Sequence, residues 1–448
     1  MITLHTVPTG RAKALAGVSL GYFMVLLDMT VLSVAEPDLA TSLHTSIAGL
    51  QWATTGYTVA FAALLLSGGA LADRYGADRV FRCGTVVFGV ASLLSAIAPN
   101  LWVLVALRVL LGFAAAGCVP ASMAIITQLY PEPAKRARAI ATWAAISGAA
   151  VAAGPIAGGA LVGVAGWRAI FLINVPIALV VLALTLRSVT TARGDNRIDW
   201  PAQCAAAAVL ALCTGALIAA GAQAWDDTAW FAAGAAVAAL LFLLLERRST
   251  APVLNRALLG SSRVRAGLFA GAAVNFALTG ALFVLPLLLQ QQRQLSALLT
   301  GLAFLPLTIP FAVIPPFAGK VVARIGPRRP IMAGLALLAT GGAVLGSAIF
   351  TSAAYPILAV GLLLSGFGVA CALPALVAAT VSAAPPGSAG STGGLLNAVR
   401  QVGATLGVAI MGAFALTGPG WSLLISAAVC VAALLIFSAV TNGPGLGV

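Results

Sequence analysis

Charge is scarce in this 448-residue sequence: Asp, Glu, Lys and Arg make up 8% of it, against roughly 25% in an ordinary soluble domain. Two histidines are present, and the six cysteines are scattered without a CxxC pair. These residues do not indicate a zinc site, a histidine-based catalytic site or a disulfide framework. We expect neither enzymatic activity nor a bound metal or cofactor.

Apolar residues make up 61% of the chain and recur in long stretches from Leu15 to Val440. A helix of about 20 apolar residues crosses the hydrocarbon core of a bilayer, which is roughly 30 Å thick. This length predicts an all-α, multi-pass membrane protein with fourteen spans. The predicted spans are residues 14–35, 50–72, 80–98, 101–126, 138–163, 168–187, 201–221, 229–245, 265–289, 299–322, 330–350, 354–379, 393–416 and 419–440.

The basic residues lie almost entirely on one side of the predicted membrane. Of the 24 Lys and Arg residues, all but Arg108, Arg168, Arg293 and Arg400 lie before span 1 or at the connections that follow even-numbered spans. Cytoplasmic loops carry such an excess of positive charge. Both termini are therefore predicted to be cytoplasmic. The net charge of +13 is interpreted as a topological signal, and no nucleic-acid partner is expected.

A short pattern occurs twice at a spacing of 250 residues, each time in a basic connection between spans. The repeated residues are Gly69, Arg74, Gly76 and Arg79, which recur as Gly319, Arg324, Gly326 and Arg329. Such a repeat indicates two related halves. We predict six-helix bundles at residues 14–187 and 265–440, with a linker and two inserted spans at residues 188–250.

The first predicted span contains a recognisable motif. Residues 27–37 read Leu-Asp-Met-Thr-Val-Leu-Ser-Val-Ala-Glu-Pro. This segment resembles the first-span motif of the drug:proton antiporters with fourteen spans, a branch of the major facilitator superfamily. Two positions depart from the motif, since Ser33 stands where Asn is common and Glu36 where Leu is usual. The resemblance extends over the whole chain.

Two further segments support the resemblance. Residues 69–79 are similar to the superfamily's loop motif between spans 2 and 3, and the resemblance assigns a gating role to five residues. These are Gly69, Asp73, Arg74, Gly76 and Arg79. In span 5, Gly154, Pro155, Gly158 and Gly159 resemble the antiporter motif of exporters, although Ala150 replaces an expected glycine.

The resemblance implies a proton-coupled antiporter that exports small amphipathic drugs or antibiotics by alternating access between two bundles. The proton motive force would drive transport. The interrupted glycine pattern leaves an alternative, a proton-coupled importer or symporter of a small metabolite with the same fold. We expect a multi-pass protein of the bacterial cytoplasmic (inner) membrane that acts as a monomer and whose partners are the lipid bilayer, protons and a small-molecule substrate.

Two ionisable residues lie inside spans at matching depths. Asp28 in span 1 and Arg108 in span 4 are each about seven residues from the outer end, or roughly 10 Å below the surface at 1.5 Å per residue. Ionisable groups within a membrane pair with each other or line a cavity. We predict that Asp28 couples transport to protons and that Arg108 modulates its proton affinity. A static ion pair that joins the two spans is the alternative.

Other charged residues lie near the predicted span ends. Glu36, next to Pro37, is expected to be a solvated helix-end residue, and the alternatives are a second proton-coupling site or an acid that attracts cations to the mouth. Asp73 and Arg74 end span 2, where the carboxylate would either meet the positive N-terminal end of a neighbouring helix or remain solvated. Arg400 is expected to meet anionic groups near the cytoplasmic end of span 13 or to extend to the interface.

Aromatic and amide side chains within spans are candidates for contact with the substrate in a mainly apolar pocket. The candidates are Tyr22, Trp52, Tyr57, Trp143, Asn174, Asn275, Phe276, Asn397 and Gln401. Packing within the protein or anchoring at the membrane interface is the alternative for each of the aromatic residues.

Overall fold

The computed structural model describes residues 9–186, 199–249, 256–384, 389–415 and 418–442. Within these residues the chain forms α-helices and one π-helical turn at Leu288–Gln292, without any strand. The helices are α1 (Thr9–Ser42), α2 (Ile47–Tyr75), α3 (Ala77–Ala96), α4 (Leu101–Leu129), α5 (Pro133–Ala165), α6 (Ala169–Leu172), α7 (Asn174–Thr185), α8 (Trp200–Gly221), α9 (Trp225–Arg248), α10 (Arg256–Gly260), α11 (Ser262–Leu287), α12 (Ala297–Ala303), α13 (Leu305–Val313), α14 (Pro315–Ile325), α15 (Arg328–Phe350), α16 (Tyr355–Ser382), α17 (Ala389–Ala413) and α18 (Pro419–Asn442).

Eleven helices of the described residues are long and apolar enough to cross a membrane, or twelve if the two parts of α2, bent by 59°, form one span. The predicted count of fourteen spans is therefore not confirmed. Two of the predicted spans are interrupted. The described part of the sixth predicted span, residues 168–186, contains α6 and the short apolar helix α7, and residues 299–322 are divided among α12, α13 and α14.

Proline explains both interruptions, because its ring nitrogen cannot donate to the carbonyl four residues earlier. Pro176 lies in the first turn of α7, just after the break at Ile173. Pro306 and Pro315 lie in the first turns of α13 and α14. Hydropathy does not depend on these missing backbone donors. Counting apolar residues therefore predicted continuous spans.

Contacts at the two ends of α1 define two faces of the bundle. At one end, Tyr130 Oη donates a hydrogen bond to the carbonyl oxygen of Arg11 at 3.4 Å. At the other end, Arg168 Nη1 donates to Ser42 Oγ at 3.3 Å. We call the face that holds Arg11 and Tyr130 the terminal face, and the face that holds Ser42 and Arg168 the distal face.

Equivalent pairs of helices pack together in the first and second parts of the chain. In the first part α1 packs against α5, α2 against α4, and α3 against α4 and α7. In the second part α11 packs against α17, α13 against α16, and α15 against α16 and α18. The two repeated glycines, Gly76 and Gly326, share a positive φ, of 93° and 73°. Residues 188–198 and 250 of the predicted linker lie outside the described residues.

The two parts of the chain contact each other near the distal face. Gln51 of α2 donates to the carbonyl oxygens of Val408 and Ala409 in α17, both at 2.9 Å. Gln290 in the π-helical turn donates to the carbonyl oxygen of Val34 in α1 at 2.8 Å. These bonds to backbone oxygens join the halves independently of side-chain charge.

The inserted helix α8 lies along the junction between α2 and α17 and packs against both. Its Gln203 donates to the carbonyl oxygen of Ala63 in α2. Its other end meets α17, where a Cβ added to Gly221 would lie 3.0 Å from the Cα of Ala413. α9 packs against the outer side of α8.

Candidate functional site

A cavity of about 270 Å³ lies between the two halves. Its walls come from α1, α2, α4 and α5 of the first half and from α11, α13, α16 and α17 of the second. Five of the predicted substrate contacts line it. These are Tyr22, Trp143, Asn275, Asn397 and Gln401. The cavity is mainly apolar with a few polar groups, the usual composition of a small-molecule site.

One face of α1 forms a wall of this cavity. Tyr22, Leu26, Met29, Ser33 and Glu36 all line it, and they recur at intervals of three and four residues. This spacing places them on one side of an α-helix. The wall therefore begins with an aromatic residue and ends, about 21 Å further along the helix, with a carboxylate.

An aromatic pair lies at one end of this wall. The rings of Tyr22 and Trp143 stack with their centroids 4.5 Å apart and their planes 14° apart. Trp143 Nε1 donates to Ser122 Oγ at 3.2 Å, so the indole is fixed by a polar contact. The two rings present a rigid apolar surface to the cavity.

A basic residue lies on the opposite wall. Arg400 of α17 lines the cavity and donates from Nε to Asn275 Oδ1 at 3.2 Å and from Nη1 to Asn397 Oδ1 at 2.9 Å. The two amide oxygens hold the guanidinium within the cavity wall. Arg400 thus neither extends to the interface nor, among the described residues, forms a salt bridge.

Glu36 is buried in the cavity wall, with 2% of its surface exposed. The expectation of a solvated helix-end residue is wrong at this position, because α1 runs through Pro37 and continues to Ser42. Thr54 Oγ1 donates to Glu36 Oε1 at 3.2 Å, whereas Glu36 Oε2 has no protein hydrogen-bond donor. The three- and four-residue spacing from Tyr22 was the sequence signal that pointed to the cavity.

Asp28 and Arg108 form a buried ion pair between α1 and α4, with side chains at most 1% exposed. The pair lies within the first half and does not line the cavity. Asn174 Nδ2 of α7 donates to Asp28 Oδ1 at 3.0 Å, and Arg108 Nε donates to the carbonyl oxygen of Ala53 at 3.1 Å. Three predicted site residues, Asp28, Arg108 and Asn174, are thus brought together in one network.

Four predicted substrate contacts lie away from the cavity wall. Tyr57 is fully buried beneath the Arg108 guanidinium, which is 4.6 Å from its ring centroid. Trp52 faces Phe231 of the inserted helix α9, with centroids 6.1 Å apart. Asn174 bonds to Asp28, and Phe276 packs in the apolar core. We place these four residues in structural contacts rather than at the cavity surface.

The predicted gating segment lies at the junction of α2 and α3. Gly76 has a φ of 93°, which L side chains rarely adopt, and it connects the two helices. Asp73 and Arg74 are exposed, with the Arg74 guanidinium 5.6 Å from the ring centroid of Tyr75. Arg79 donates from its backbone N–H to the Gly76 carbonyl at 3.1 Å. Space beside Gly69 is open, with no atom within 4 Å of an added Cβ.

Sequence reasoning missed a contact next to this segment. Asp78 lies in the first turn of α3, where a carboxylate is favoured by the helix dipole, and it pairs with Arg82. Arg82 Nη1 also donates to the carbonyl oxygen of Leu186, just beyond α7, at 3.0 Å. Asp78 and Arg82 are four residues apart on a helix, and this spacing was the available signal.

The predicted antiporter motif lets α5 approach two other helices closely. A side chain at Gly154 or Gly158 would collide with Thr30 or with the carbonyl oxygen of Val31, both in α1. On the other side, a side chain at Gly159 would collide with the backbone of Ala297 in α12. α5 therefore lies between one helix of each half, and small residues make that packing possible.

The Pro155 carbonyl lies beside Gly301, so that this proline is part of the same close contact between α5 and α12. Both helices belong to the distal part of the junction, since Gly159 and Ala297 are near the α5 and α12 ends on that face. Gly154 and Gly158 thus pack against α1 of the first half, whereas Pro155 and Gly159 contact α12 of the second half.

Two bacterial resistance proteins resemble this chain over most of its length. The methylenomycin A resistance protein of Bacillus subtilis (strain 168) is 34% identical over 437 residues, which is 95% of this chain and 94% of that protein. The tetracenomycin C resistance and export protein of Streptomyces glaucescens is 34% identical over 404 residues, which is 89% of this chain and 74% of that protein.

The fold also matches solved structures. A bacterial homolog of the human lysosomal transporter Spinster, in an inward-facing and unoccupied conformation, aligns with a TM-score of 0.70 at 17% identity, over 98% of this chain and 100% of that one. A family model described as Major Facilitator Superfamily matches residues 18–407 and 267–445. The chain therefore belongs to the Major Facilitator Superfamily, a family of membrane transporters rather than enzymes.

Proposed function

We propose that this protein is a proton-coupled antiporter that exports small amphipathic antibiotics across the bacterial cytoplasmic membrane. The observation that carries the proposal is the buried Asp28–Arg108 pair on the helix that also forms the cavity wall. An ion pair without access to water is costly, and such pairs within membranes mark proton or substrate pathways. The proton motive force supplies the energy, so that no cofactor is required.

Coupling follows from the two faces of α1. Asp28 points into the first half, about 100° around the helix from Met29 on the cavity wall. A proton on Asp28 removes its charge and weakens its bonds to Arg108 and Asn174. α1 is then free to shift against α4 and α7, and the same shift changes the wall that holds the cargo. Proton and cargo therefore need not meet at one atom.

Alternation would proceed by rocking of the two halves around the cavity. The contacts of Gln51 with α17 and of Gln290 with α1 close the distal side in the present structure. They donate to backbone carbonyls, and these bonds must break for the cavity to open on that side. The residues of the α2–α3 junction would close the terminal side in the alternate state.

We propose that the terminal face is cytoplasmic and that the chain crosses the membrane fourteen times. Lys and Arg residues concentrate at the connections on that face, in accord with the positive-inside rule. α6 with α7, and α12 with α13 and α14, then form the two interrupted crossings. The protein would act as a monomer, since each chain contains a complete cavity.

The names of the relatives support antibiotics as cargo, since one confers methylenomycin A resistance and another tetracenomycin C resistance and export. A resistance panel in an efflux-deficient bacterial host, containing these two compounds and also cationic amphipathic antibiotics, should show raised inhibitory concentrations for at least one class of compound with the wild-type gene. Asp28→Asn should remove the increase. Glu132→Gln, an exposed carboxylate paired with Lys135, is the matched control and should retain it.

Vesicle measurements distinguish export from import. Everted vesicles with an acidic lumen expose the cytoplasmic side, and adding a compound from the panel should release protons from the lumen if the protein is an antiporter. A proton-coupled symporter would instead carry protons inward with the compound and acidify the lumen further. Acidification, or no proton movement during uptake of the compound, would contradict the proposal.

A further inference from the structure

The cavity contains a carboxylate oxygen without a protein partner. Glu36 is 2% exposed, lines the cavity and accepts one hydrogen bond, from Thr54 to Oε1. Its Oε2 has no donor. Arg108 of α4, which packs against α1, is already paired with Asp28. A buried carboxylate with one unsatisfied oxygen requires a further hydrogen-bond donor, and a cationic donor satisfies both its charge and its bonding capacity.

The cavity wall near Glu36 contains an aromatic side chain that can pack against a ring of the cargo. Phe283 lines the cavity, and its ring lies beside Gln51, because both would contact a Cβ added to Gly412. Gln51 is one turn along α2 from Thr54, the partner of Glu36. A ring and a carboxylate about one helical turn apart in depth form a site that can recognise an aromatic group joined to a positively charged nitrogen.

The charges of the cavity also favour one position for a bound cation. Arg400 lies in the wall of α17, where the oxygens of Asn275 and Asn397 hold it. Thr405 donates to the carbonyl oxygen of Gln401 and bonds to Thr58 of α2 at 2.8 Å. Thr58 is one turn from Thr54, so Arg400 lies about two turns nearer the terminal face than Glu36. A cation is repelled at that end and attracted at the distal end.

We propose that Glu36 forms a cation-binding subsite at the distal end of the cavity and that it selects cargo carrying a protonated nitrogen on an aromatic body. This inference rests on the proposed transport function and specifies its substrate class. Glu36 Oε2 would accept a hydrogen bond from the protonated nitrogen, while Thr54 holds the other oxygen. Leu is usual at this position in the resembling family, so the preference would belong to this chain.

Equilibrium binding to the purified full-length protein in detergent tests the subsite without a proton gradient. The probes are 9-aminoacridine, which is protonated in slightly alkaline buffer, and acridine, which has the same three rings but is uncharged there. The wild type should bind 9-aminoacridine about tenfold to hundredfold more tightly than acridine, as expected for a hydrogen bond to a charged group. Glu36→Gln should remove most of this difference and change acridine binding less than about twofold.

Two further variants complete the test. Glu132→Gln removes an exposed carboxylate and should leave the affinities for both probes unchanged. Arg400→Gln removes the repelling charge and should tighten the binding of 9-aminoacridine several-fold relative to that of acridine. If Glu36→Gln does not fold, the effect of Arg400→Gln and the preference of the wild type for 9-aminoacridine over acridine test the inference.

The inference is overturned if the wild type binds the two probes equally, or if Glu36→Gln retains the preference for 9-aminoacridine. The latter result would mean that the Glu36 carboxyl is neutral and serves packing alone. Proton release from vesicles on addition of a compound, together with unselective probe binding, would overturn this inference only. Selective probe binding without proton-coupled transport would overturn the proposed antiport only.

Discussion

The helices α1 and α11 occupy equivalent places in the two halves but differ in their charge. α1 contains two buried carboxylates, Asp28 and Glu36. α11 has no ionisable residue between Ala266 and Leu287, and its polar contribution to the cavity includes Asn275, which accepts from Arg400. The first half therefore contains groups that can change their charge, whereas the second half provides a permanent cation held by amides.

The equivalent helices α4 and α16 also differ in their charge. Both contain an internal proline, and Gly112-Phe113 of α4 corresponds to Gly366-Phe367 of α16. In this alignment Arg108 corresponds to Leu362, which is buried in the apolar core. A repeated fold does not require repeated chemistry. One half can be specialised for protons while the other retains the packing.

The largest expected effect tests whether the first half alone provides the coupling. Asp28→Asn should reduce proton-coupled uptake in everted vesicles to the level of vesicles without the protein, because the amide of Asn cannot take up or release a proton at the pH of the experiment. Binding of cargo to the detergent-solubilised variant should persist, since Asp28 does not line the cavity. Uptake against a gradient at the wild-type rate would show that the pair is a static structural link.

Arg108→Leu gives α4 the residue that α16 has at the equivalent position. It leaves Asp28 as an unpaired buried charge and should destabilise the protein by about 3–5 kcal/mol. Thermal unfolding in detergent, followed by tryptophan fluorescence, measures the loss. The double variant Asp28→Asn/Arg108→Leu should recover part of it, because both charges are then absent. An unchanged unfolding temperature in Arg108→Leu would show that Asp28 is uncharged in the folded protein.

How much of this site the sequence predicts depends on the kind of information needed. Depth along a helix follows from counting, and the prediction that Asp28 and Arg108 face each other is met by the ion pair. The direction in which a side chain points is harder to predict, because α1 and α2 are apolar on nearly all sides and lack an amphipathic pattern. Trp52 and Tyr57 were assigned to the pocket, and they lie elsewhere.

The end of a helix is equally difficult to predict in such a sequence. Glu36 and Pro37 suggested that span 1 was ending, whereas α1 continues to Ser42 and keeps Glu36 in the cavity wall. Contacts between segments that are far apart in the sequence are still harder to predict. The bond from Arg82 to Leu186 joins residues 104 positions apart, and neither residue alone indicates the other.

Packing of α5 against α1 within the first half gives a smaller effect, at the predicted antiporter motif. Gly154→Val should collide with Thr30 and cost about 1–3 kcal/mol of stability, with reduced transport. Gly163→Val is the matched control on the same helix, since no atom lies within 4 Å of an added Cβ there. Unfolding temperature and vesicle uptake measure both variants. Equal behaviour of the two would show that α5 does not pack closely at Gly154.

The smallest expected difference is the difference in transport between variants of the two repeated turns. Gly76→Ala and Gly326→Ala each place a side chain at a positive φ and should cost about 1–3 kcal/mol in stability. Transport should slow more in Gly76→Ala, because Gly76 precedes the turn in which Asp78 pairs with Arg82 and so connects to Leu186. Equal slowing in both variants would show that the terminal-side gate is shared by the halves.

The inserted helix α8 makes the two lateral sides of the molecule different. It covers the line along which α2 and α17 meet. On the other side, where α5 meets α12 and α13, no further helix among the described residues lies over the junction. The junction is therefore shielded by an additional helix on one flank, whereas on the other flank the direct contact of α5 with α12, where Gly159 and Gly301 let the backbones approach, closes it. The two flanks present different surfaces to the surrounding lipid.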